Sequence, residues 1–556
     1  MRYISRFDEA RQAIRRVITD FLEGAGWGNA ASLVTVEVPT EHGHGDLTTS
    51  FALKIRSQTQ VAPRTLLEKL APHLADLPMM ETYEIAGPGF LNFMLKTAWL
   101  AVAIDEACRN PDRYGNSDVG GGCSVLLEYV SANPTGPMVV VSGRAAAVGD
   151  TLARVMGAAG YQVSREFYIN DAGKQIATLG QALALRLLEL GQECVLDSWP
   201  DGVYPGEYVK DLAHHYCELN PTVDSKTLGV DDYPGLGHWA ADQIRQAHEK
   251  TLAAFRVIFD RWYSERELRD SGAPEKVIEQ LYDRGFLVER DGARWFTSSQ
   301  FGDDKDRVMV RSDGTLTYMV PDAAYHKDKF DRGFDYVIDL LGPDHHGYVN
   351  RMRAVVEALG YPPARLEIII IQLVRLMRGE ELVRMSKRGG TFVTLEDLIE
   401  EAGVDPARFF LLERAPETPM DFDLNLATLK GSDNPVYYVQ YVGARIHSIL
   451  NQWRAMRQPT AAIDLALLTA KEERHLIVLV ARFPDVIGRV ALERAPQHLP
   501  KFMTDLAHAF HAFYRQHRIL DAEPLVRQAR LALIEAVLVV TTRGLNLMGI
   551  SQPKKM

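Results

Sequence analysis

Apolar and polar positions divide the chain into three stretches of different periodicity. The first stretch opens with apolar residues at helical spacing in RFDEARQAIRRVITDFLEG, followed by a β-like run over residues 32–39 and a second helical pattern over 47–57. An alternating strand pattern ends it at GPGFLNFML. The Gly-, Asn- and Asp-rich run over 109–122 is typical of an exposed connection. We therefore predict a small α/β domain over residues 1–110.

A second stretch alternates strands with helices. The strand SVLLEYV leads through a Pro/Gly turn into the small-residue helix GRAAAVGDTLARVMGAAG and the strand QVSREFYI, and later strands are predicted at DYVIDLLG and LEIIIIQLV. This order predicts a doubly wound parallel sheet over residues 111–432. The range 175–298 is mostly helical in pattern, and we interpret it as an insertion between the two halves of the sheet.

From residue 433 onward the strand patterns stop. Apolar residues recur there at spacings of three and four in VYYVQYVGARIHSIL, KEERHLIVLVARFPDVIGRVALE and the stretches that follow. We predict an all-helical C-terminal domain over residues 433–556.

Composition excludes several classes of protein. Hydrophobic residues make up 46% and charged residues 24%, which is ordinary for packed domains. The formal net charge of -11 argues against non-specific coating of nucleic acid, and no apolar run reaches roughly 18 residues, the length of a membrane span. The four cysteines form no C-x-x-C pair, so we expect a reducing cytoplasm and no zinc site.

Polar side chains cluster in EYVSANPTGP, where the first strand of the predicted sheet ends. Ligands of open α/β sheets bind at this edge. Carboxylate, hydroxyl and amide groups of this kind can bind a cationic side chain and an ammonium group. A turn whose polar groups cap the next helix would explain the same residues.

The cationic segment VRMSKRGG, residues 383–390, follows a strand-rich region and ends in two glycines. Such a loop can close over phosphates. The alternative is a solvent-exposed basic turn without a phosphate-binding role, which would explain any short run of cationic residues. Only the order Met-Ser-Lys-Arg argues against this alternative here.

These segments resemble the arginyl-tRNA synthetases over nearly the whole chain. The similar segments are VSANPTGP, FYINDAGKQI, the block from RSDGTLTYMVPDAAYHKDKF to GPDHHGYVNRM, RMSKRGGTFVTLEDLIEEAGVDPARFFLLER, DNPVYYVQYVGARI and the ending LNLMGISQPKKM. The resemblance implies a class I Rossmann-type catalytic core with a helical insertion, a small N-terminal tRNA-contacting domain and a helical anticodon-binding bundle. It also implies an arginine–tRNA ligase that uses ATP as a substrate, with Mg²⁺ and no tightly bound cofactor.

The resemblance assigns site residues by position. It implies that arginine is bound by Glu128, Ser131, Asn133, Tyr318 and Asp322, with Asp322 facing the guanidinium group, a role for which helix capping after Pro321 is the alternative. It places ATP against Thr135, Gly136, Asp344, His345, His346 and Met385. Lys387, with Arg384, Ser386 and Arg388, would stabilise charge on the phosphates. Adjacent histidines point in different directions, so we expect no metal site at His345 and His346.

The chain departs from the family in one signature. The family has His-x-Gly-His after its TGP turn, whereas residues 139–142 read VVVS and no histidine lies between His73 and His214. Val139 and Ser142 thus replace the two histidines, and Val141 replaces the glycine. Loss of one phosphate donor can cost roughly 3 kcal/mol. A smaller departure is Leu341, where the family has an aromatic residue.

Two interpretations of this departure remain open. The chain is a working ligase in which other groups, such as Arg144, Lys174, His346 or the 384–388 segment, contact the phosphates, or it is a paralogue that binds arginine or tRNA without adenylation. A dinucleotide-binding protein is disfavoured, because no G-x-G-x-x-G follows the first strand of the sheet. A pure RNA-binding scaffold is a further alternative, against which retained arginine binding would argue.

The resemblance also implies partners. We expect arginine tRNA, arginine and ATP as partners, no DNA or membrane, and a monomer. Tyr437, Tyr441 and Arg445 combine aromatic and cationic groups suited to unpaired anticodon bases, although helical spacing requires several tyrosines nearby to be core. Arg11, Arg15 and Arg16 are candidates for contact with the corner of the tRNA.

Overall fold

The computed structural model describes residues 5–39, 43–192, 199–200, 202–203, 206–345, 347–383, 393–458 and 461–556. The N-terminal unit contains α1 (Arg6–Gly24), β1 (Leu47–Thr49), α2 (Phe51–Lys54), α3 (Arg56–Thr59), α4 (Pro63–Ala75), β2 (Met80–Ala86), β3 (Phe90–Leu95) and α5 (Thr97–Arg109). Its three strands form an antiparallel sheet in the order β1-β3-β2. Helix α1 buries Phe7, Ile14 and Ile18 on one face, as its apolar spacing predicts.

Two local predictions in this unit are wrong in part, although α2 and α3 confirm a helical conformation from Phe51 onward. Only the first two residues of the run over 32–39 belong to a 3₁₀ helix, Gly28–Leu33, and the rest forms no strand apart from a single β-bridge from Glu37 to Thr48. The predicted helix over 47–57 begins instead with β1, because Leu47 pairs with Phe93 of β3. Tertiary pairing of the threonine-rich LTT segment outweighs its helical periodicity.

The central unit contains β4 (Ser124–Glu128), α6 (Val140–Ala158), β5 (Gln162–Ile169), α7 (Lys174–Gln192), α8 (Glu207–Leu219), α9 (Tyr233–Ala254), β6 (Arg261–Ser264), α10 (Glu265–Asp270), α11 (Ala273–Asp283), β7 (Leu287–Arg290), β8 (Ala293–Phe296), β9 (Arg307–Val310), α12 (Met319–Asp331), β10 (Tyr336–Leu341), α13 (Tyr348–Ala358) and β11 (Leu366–Ile370). A parallel sheet runs in the order β11-β10-β4-β5-β6. The strand order reverses between β4 and β10, which makes the carboxyl ends of these strands the place where a ligand binds.

The range 175–298 is mostly helical, as predicted, but it is not one continuous insertion. Strand β6 lies within it and forms an edge of the central sheet beside β5. The chain therefore leaves the sheet twice, first through α7 to α9 and then through α10, α11 and the antiparallel sheet β7-β8-β9.

The remaining elements are β12 (Val374–Arg378), β13 (Glu381–Leu382), α14 (Leu395–Ala402), α15 (Val404–Leu412), β14 (Met420–Asp423), α16 (Leu424–Thr428), α17 (Pro435–Ala455), α18 (Lys471–Glu493), α19 (His498–Gln516) and α20 (Pro524–Leu547). Helices α17 to α20 pack as a C-terminal bundle, and no strand falls in the part of 433–556 that the structure describes. This architecture confirms the predicted fold class. Among the described helices, none combines the length and apolarity needed to cross a membrane.

Candidate active site

The turn after β4 has a strained backbone at the carboxyl edge of the sheet. Val130 and Ser131 have φ angles of +72° and +40°, in the region that disfavours side chains with a Cβ. The Ser131 hydroxyl donates to Glu128 Oε1 at 2.8 Å and accepts the Tyr168 N–H at 3.1 Å. These two hydrogen bonds hold the turn. Helix α6 has no side-chain cap, so the alternative of a capping turn is not supported.

Three buried carboxylates stand side by side across the sheet. In the strand register Glu128 is the partner of both Asp339 on β10 and Glu166 on β5. Registered residues of neighbouring strands point to the same face of a sheet. Each of these carboxylates needs a partner, because an unpaired buried charge is costly.

Helix α12 supplies those partners. The Lys329 ammonium lies 2.5 Å from Glu128 Oε2 and 2.7 Å from Asp339 Oδ1, and the Arg332 guanidinium binds both oxygens of Glu166 at 2.6 and 2.8 Å. His326 Nε2 lies 2.8 Å from the second oxygen of Asp339. Burial alone would raise the pKa of Asp339, but Lys329 and His326 lower it to about 2.

Asp322, one turn before His326 on α12, is in a different situation. Burial raises its pKa to about 6 against the opposing effects of His326 and a hydrogen bond from Tyr348, and the carboxylates Glu265 and Glu128 add to the rise. Within the described residues, no lysine or arginine forms an ion pair with Asp322. The helix-capping alternative is wrong, because the N-cap of α12 is Tyr318 and no side chain caps it. Asp322 therefore lies near two other carboxylates without a lysine or arginine partner of its own among the described residues.

Glu265 is a buried carboxylate that the sequence reasoning missed. It directly follows β6 and pairs with Arg269 at 2.6 Å. Asp171 fixes its backbone from both sides by accepting hydrogen bonds from the Ser264 hydroxyl at 2.7 Å and the Arg266 N–H at 2.9 Å. Its signal in the sequence was a glutamate at a strand end, combined with the FYINDAGKQI segment that provides Asp171.

The two remaining arginine-site candidates are exposed. Asn133 is exposed on the turn after β4. The Tyr318 side chain is 77% exposed at the start of α12. The structure therefore brings the buried Glu128 together with the half-buried Ser131 and Asp322, and it leaves Asn133 and Tyr318 on the surface.

Side chains of helices α8 and α9 hold the Pro/Gly turn that follows β4. The Tyr208 hydroxyl donates to the Thr135 carbonyl at 2.6 Å, and His248 Nε2 lies 2.8 Å from the Gly136 carbonyl. Burial lowers the pKa of His248, which favours the neutral ring with Nε2–H as the donor. Helices α8 and α9 therefore position a turn that the sequence places against ATP.

The first turn of α6 contains the residues that replace the family histidines. Val139, Val141 and Ser142 are half-buried, and Val139 forms a β-bridge with Thr394. The Leu395 N–H donates to the Met138 carbonyl at 2.8 Å, so the start of α14 lies beside the start of α6. No side chain caps the first turn of α6, and the backbone N–H groups at the start of a helix favour anions.

Several ATP-side candidates fall outside the described residues. These are His346, Arg384, Met385, Ser386, Lys387 and Arg388. Asp344 and His345 are exposed on the 3₁₀ turn after β10, with the His345 ring edge-to-face on Tyr348 at 5.6 Å.

Arg144 cannot serve as a replacement phosphate ligand. Its side chain is fully buried and donates to the carbonyl groups of Gln372 and Ala415, both at 2.9 Å. Burial lowers its pKa to about 10. Lys174, the other cation suggested for this role, is exposed at the start of α7.

The C-terminal bundle presents an aromatic and basic surface. The Arg445 guanidinium lies between the rings of Tyr441 and Tyr514, 4.5 and 4.3 Å from their centroids. A neighbouring cavity of about 940 Å³ is lined by Tyr437, Tyr438, Tyr441, Arg445, His511 and Arg515. Tyr438 packs against His511 at 4.4 Å, whereas Tyr441 is 40% exposed. Stacking surfaces beside cations suit single-stranded bases.

Arg11, a candidate for tRNA contact in the N-terminal unit, already pairs with a carboxylate of the protein. Arg11 forms a bidentate pair with Asp485 of α18 at 2.5 and 2.6 Å. This contact fastens α1 to the bundle, whereas Arg15 and Arg16 are exposed. Arg11 is therefore a structural residue rather than a free RNA contact.

Comparison with known families gives three matches along the chain. The models for the arginyl tRNA synthetase N terminal domain, the tRNA synthetases class I (R) catalytic domain and the DALR anticodon binding domain match residues 8–95, 231–428 and 439–556.

Curated relatives match at full length. The arginine–tRNA ligase of Symbiobacterium thermophilum is 44% identical over 552 residues, covering 99% of this chain and 98% of the relative. That of Carboxydothermus hydrogenoformans is 43% identical over 524 residues, covering 94% of each. A solved structure of a putative arginyl-tRNA synthetase from Campylobacter jejuni superposes with a TM-score of 0.75 at 33% identity, covering 83% of this chain and all of the other. The Thermus thermophilus arginyl-tRNA synthetase, at 22% identity and a TM-score of 0.78, covers 98% of this chain and all of that one and shares the fold.

Proposed function

The chain belongs to the arginyl-tRNA synthetase family, and from that membership and the geometry of the site we propose how it recognises arginine and activates it. It is an arginine–tRNA ligase: it activates arginine with ATP and transfers it to the 3′ end of arginine tRNA. The paralogue without adenylation is not favoured, because the similarity to arginine–tRNA ligases extends over nearly the whole chain.

The half-buried carboxylate of Asp322, which has no lysine or arginine partner among the described residues, is the observation that supports arginine as the substrate. Burial and the neighbouring carboxylates of Glu265 and Glu128 raise its pKa. A planar guanidinium group offers paired donors to a carboxylate and stays protonated even when desolvated. We therefore assign the guanidinium group to Asp322, with Glu265 beside it.

The other end of arginine fits the turn after β4. Glu128 and Ser131 line the inner side of that turn, and Asn133 and Tyr318 are exposed on the surface. We assign the substrate's ammonium and carboxylate groups to these polar side chains. The carboxylate then faces the start of α6, where the phosphates of ATP are expected.

The nucleotide lies between the Thr135–Gly136 turn, the start of α6 and the segment after β10 that contains Asp344, His345 and His346. The arginine carboxylate attacks the α-phosphorus and pyrophosphate leaves; a ribose hydroxyl of the tRNA then attacks the adenylate carbonyl and AMP leaves. No protein nucleophile takes part, so catalysis consists of positioning and charge stabilisation. Backbone N–H groups of α6 and the cations Arg384, Lys387 and Arg388, with Ser386 and Met385, stabilise the phosphates in place of the family histidines.

The metal ion, the oligomeric state and the cellular location are also part of the proposal. We infer that Mg²⁺ enters with ATP and is held by the ATP phosphates. We also infer a cytoplasmic monomer that acts on tRNA, without a role on DNA or membranes.

We propose that the surface around Tyr441 and Arg445 stacks the anticodon bases, with Tyr437 beside it. Stacking of a base on an aromatic side chain contributes about 1–3 kcal/mol. The Tyr441→Ala/Arg445→Ala variant should raise the KM for tRNA at least tenfold and leave the KM for arginine unchanged. An unchanged KM for tRNA would show that the anticodon binds elsewhere.

Competition with citrulline tests the assignment of Asp322. Citrulline has nearly the shape of arginine, but its urea group carries no charge. In a charging assay with labelled arginine, ATP and arginine tRNA, a hundredfold excess of citrulline should inhibit by less than half, whereas unlabelled arginine competes fully. Strong inhibition by citrulline would mean that shape rather than charge is recognised.

A further inference from the structure

Helix α12 connects the arginine pocket to the row of carboxylates in the sheet. Asp322, His326 and Lys329 are spaced by four and three residues, so they lie along one side of the helix. Asp322 and Lys329 are about 10 Å apart along the axis, from the rise per residue of an α-helix. Arg332 continues the same inner side one turn further.

The acidic partners of α12 are fixed by the sheet. Asp339, Glu128 and Glu166 belong to three adjacent strands in register, so their spacing is set by the backbone ladder. Lys329 bridges the first two acids, and Arg332 with the Tyr325 hydroxyl binds the third. A helix held at these points can neither slide nor rotate on the sheet without breaking buried ion pairs.

His326 strengthens the link towards the pocket. Its Nδ1 lies 2.8 Å from the backbone carbonyl oxygen of Asp322, and its Nε2 lies 2.8 Å from Asp339. Both partners are hydrogen-bond acceptors, so the ring lies between two oxygen atoms at opposite ends of the network. The backbone of Asp322 is thereby tied to the same sheet carboxylate that Lys329 holds.

We propose that Lys329 is a positioning residue for arginine recognition, which fixes the register of α12 on the sheet and neutralises Glu128 and Asp339 so that Asp322 receives the guanidinium group. This inference rests on the proposed function, because it names arginine as the ligand. The Lys329 side chain has no exposed surface, and its ammonium group also lies 4.2 Å from the centre of the Tyr325 ring. It touches no substrate and acts through the two carboxylates.

The neutralisation follows from the charges in the cluster. Without Lys329, Glu128 and Asp339 would be two buried carboxylates on neighbouring strands, which repel each other and attract any cation that enters. The guanidinium group of the substrate would then be attracted to Glu128 and Asp339 as well as to Asp322. With Lys329 in place, Asp322 remains as the carboxylate on α12 that lacks a lysine or arginine partner within the described part of the chain.

The test compares Lys329→Met, Lys329→Arg and the control Lys276→Met, which removes an exposed ammonium group from the adjacent helix α11. Arginine binding is measured by calorimetry without ATP, and KM values for arginine, ATP and tRNA are measured by charging. Lys329→Met should weaken arginine binding about a hundredfold and raise the KM for arginine alone. Lys329→Arg should recover at least tenfold of that loss, and Lys276→Met should behave as wild type.

Arginine affinity that is unchanged in folded Lys329→Met, or KM values that rise equally for all three substrates, would overturn the inference. If Lys329→Met does not fold, Asp339→Asn replaces it: this variant keeps the Lys329–Glu128 pair but loses one anchor of α12. Asp339→Asn should weaken arginine binding about tenfold, and an unchanged affinity would equally overturn the inference. Wild type that binds arginine without charging tRNA would instead count against the proposed function and leave the inference intact.

Discussion

The proposed arginine side and the proposed nucleotide side of the cleft are built in contrasting ways. On the arginine side, Glu128, Asp339 and Glu166 are buried and bound by α12, and Asp322 lies two turns before Lys329 on the same helix with its pKa raised. On the nucleotide side, the start of α6 contains Val139, Val141 and Ser142 where the family has histidines and a glycine. Buried charged side chains form one side, and we propose that backbone N–H groups of α6 together with the 384–388 cations form the other.

This difference shows which part of the reaction depends on particular side chains. Recognising a guanidinium group requires carboxylates at fixed positions, because direction and charge both matter. Stabilising phosphates requires positive potential, which helix N-termini, loops and cations can supply interchangeably. The nucleotide side can therefore change its residues while the arginine side retains its charges.

The largest effect is expected from Asp322→Asn. Removing one partner of a buried charge pair costs about 4 kcal/mol, so kcat/KM for arginine should fall about a thousandfold, mainly through KM. Steady-state charging kinetics measure the change, with Asp331→Asn as the control because Asp331 lies on the same helix and pairs with Lys327. A loss below tenfold would mean that Asp322 does not contact the guanidinium group.

Lys387→Ala probes the nucleotide side. We expect kcat to fall about a hundredfold, as for loss of one transition-state donor, while arginine binding stays at the wild-type level. Single-turnover adenylate formation, measured beside arginine titrations, separates the two quantities. Equal losses in both would contradict the division of the cleft into two sides.

Acid should weaken arginine binding before it affects ATP binding. Asp322 must be ionised to pair with the guanidinium group, and its pKa of about 6 leaves roughly one-tenth ionised at pH 5. The KM for arginine should therefore rise about tenfold between pH 7 and pH 5, and Asp322→Asn should abolish this dependence. A flat profile in wild type would show that another group carries the charge.

The same shift has a defined sign for stability. The folded chain holds a proton on Asp322 that the unfolded chain releases at about pH 4, so this carboxyl group becomes more destabilising as pH rises from about 4 to about 6. Thermal unfolding of Asp322→Asn should therefore show its greatest gain over wild type above pH 6. A gain at pH 4 that disappears at pH 7 would contradict this sign.

The smallest effect is expected from restoring the family signature. Val139→His/Val141→Gly/Ser142→His should change kcat by less than about tenfold, because backbone N–H groups of α6 and the 384–388 cations already stabilise the phosphates. A rise of a hundredfold or more would mean that the nucleotide side is crippled rather than rebuilt.

The sequence predicts the parts of the site that lie in continuous segments. Strands β4, β5 and β10 and the polar turn after Glu128 follow from local periodicity and turn residues. The α12 network does not, since Lys329 meets a carboxylate 201 positions away in the chain. The spacing of His326, Lys329 and Arg332, set against acids near three strand ends, was the signal that could have indicated it.

Arg144 and Arg11 show that the sequence also suggests candidate site residues that the structure rules out. Both read as free cations in the sequence, yet their partners are the carbonyl groups of Gln372 and Ala415 and the carboxylate of Asp485, all distant in the chain. A residue type indicates which chemistry is possible, whereas burial decides whether the group is available. Contacts with residues distant in the chain also explain why β1 forms where a helix was predicted, since Leu47 pairs with Phe93.

Charging of purified arginine tRNA with labelled arginine and Mg-ATP tests the central claim most directly. We expect wild type to form arginyl-tRNA robustly, with dependence on ATP and loss of charging in Lys387→Ala. Intact binding of arginine and tRNA with no charged product would contradict the claim and identify the nucleotide side as the part that has lost its chemistry.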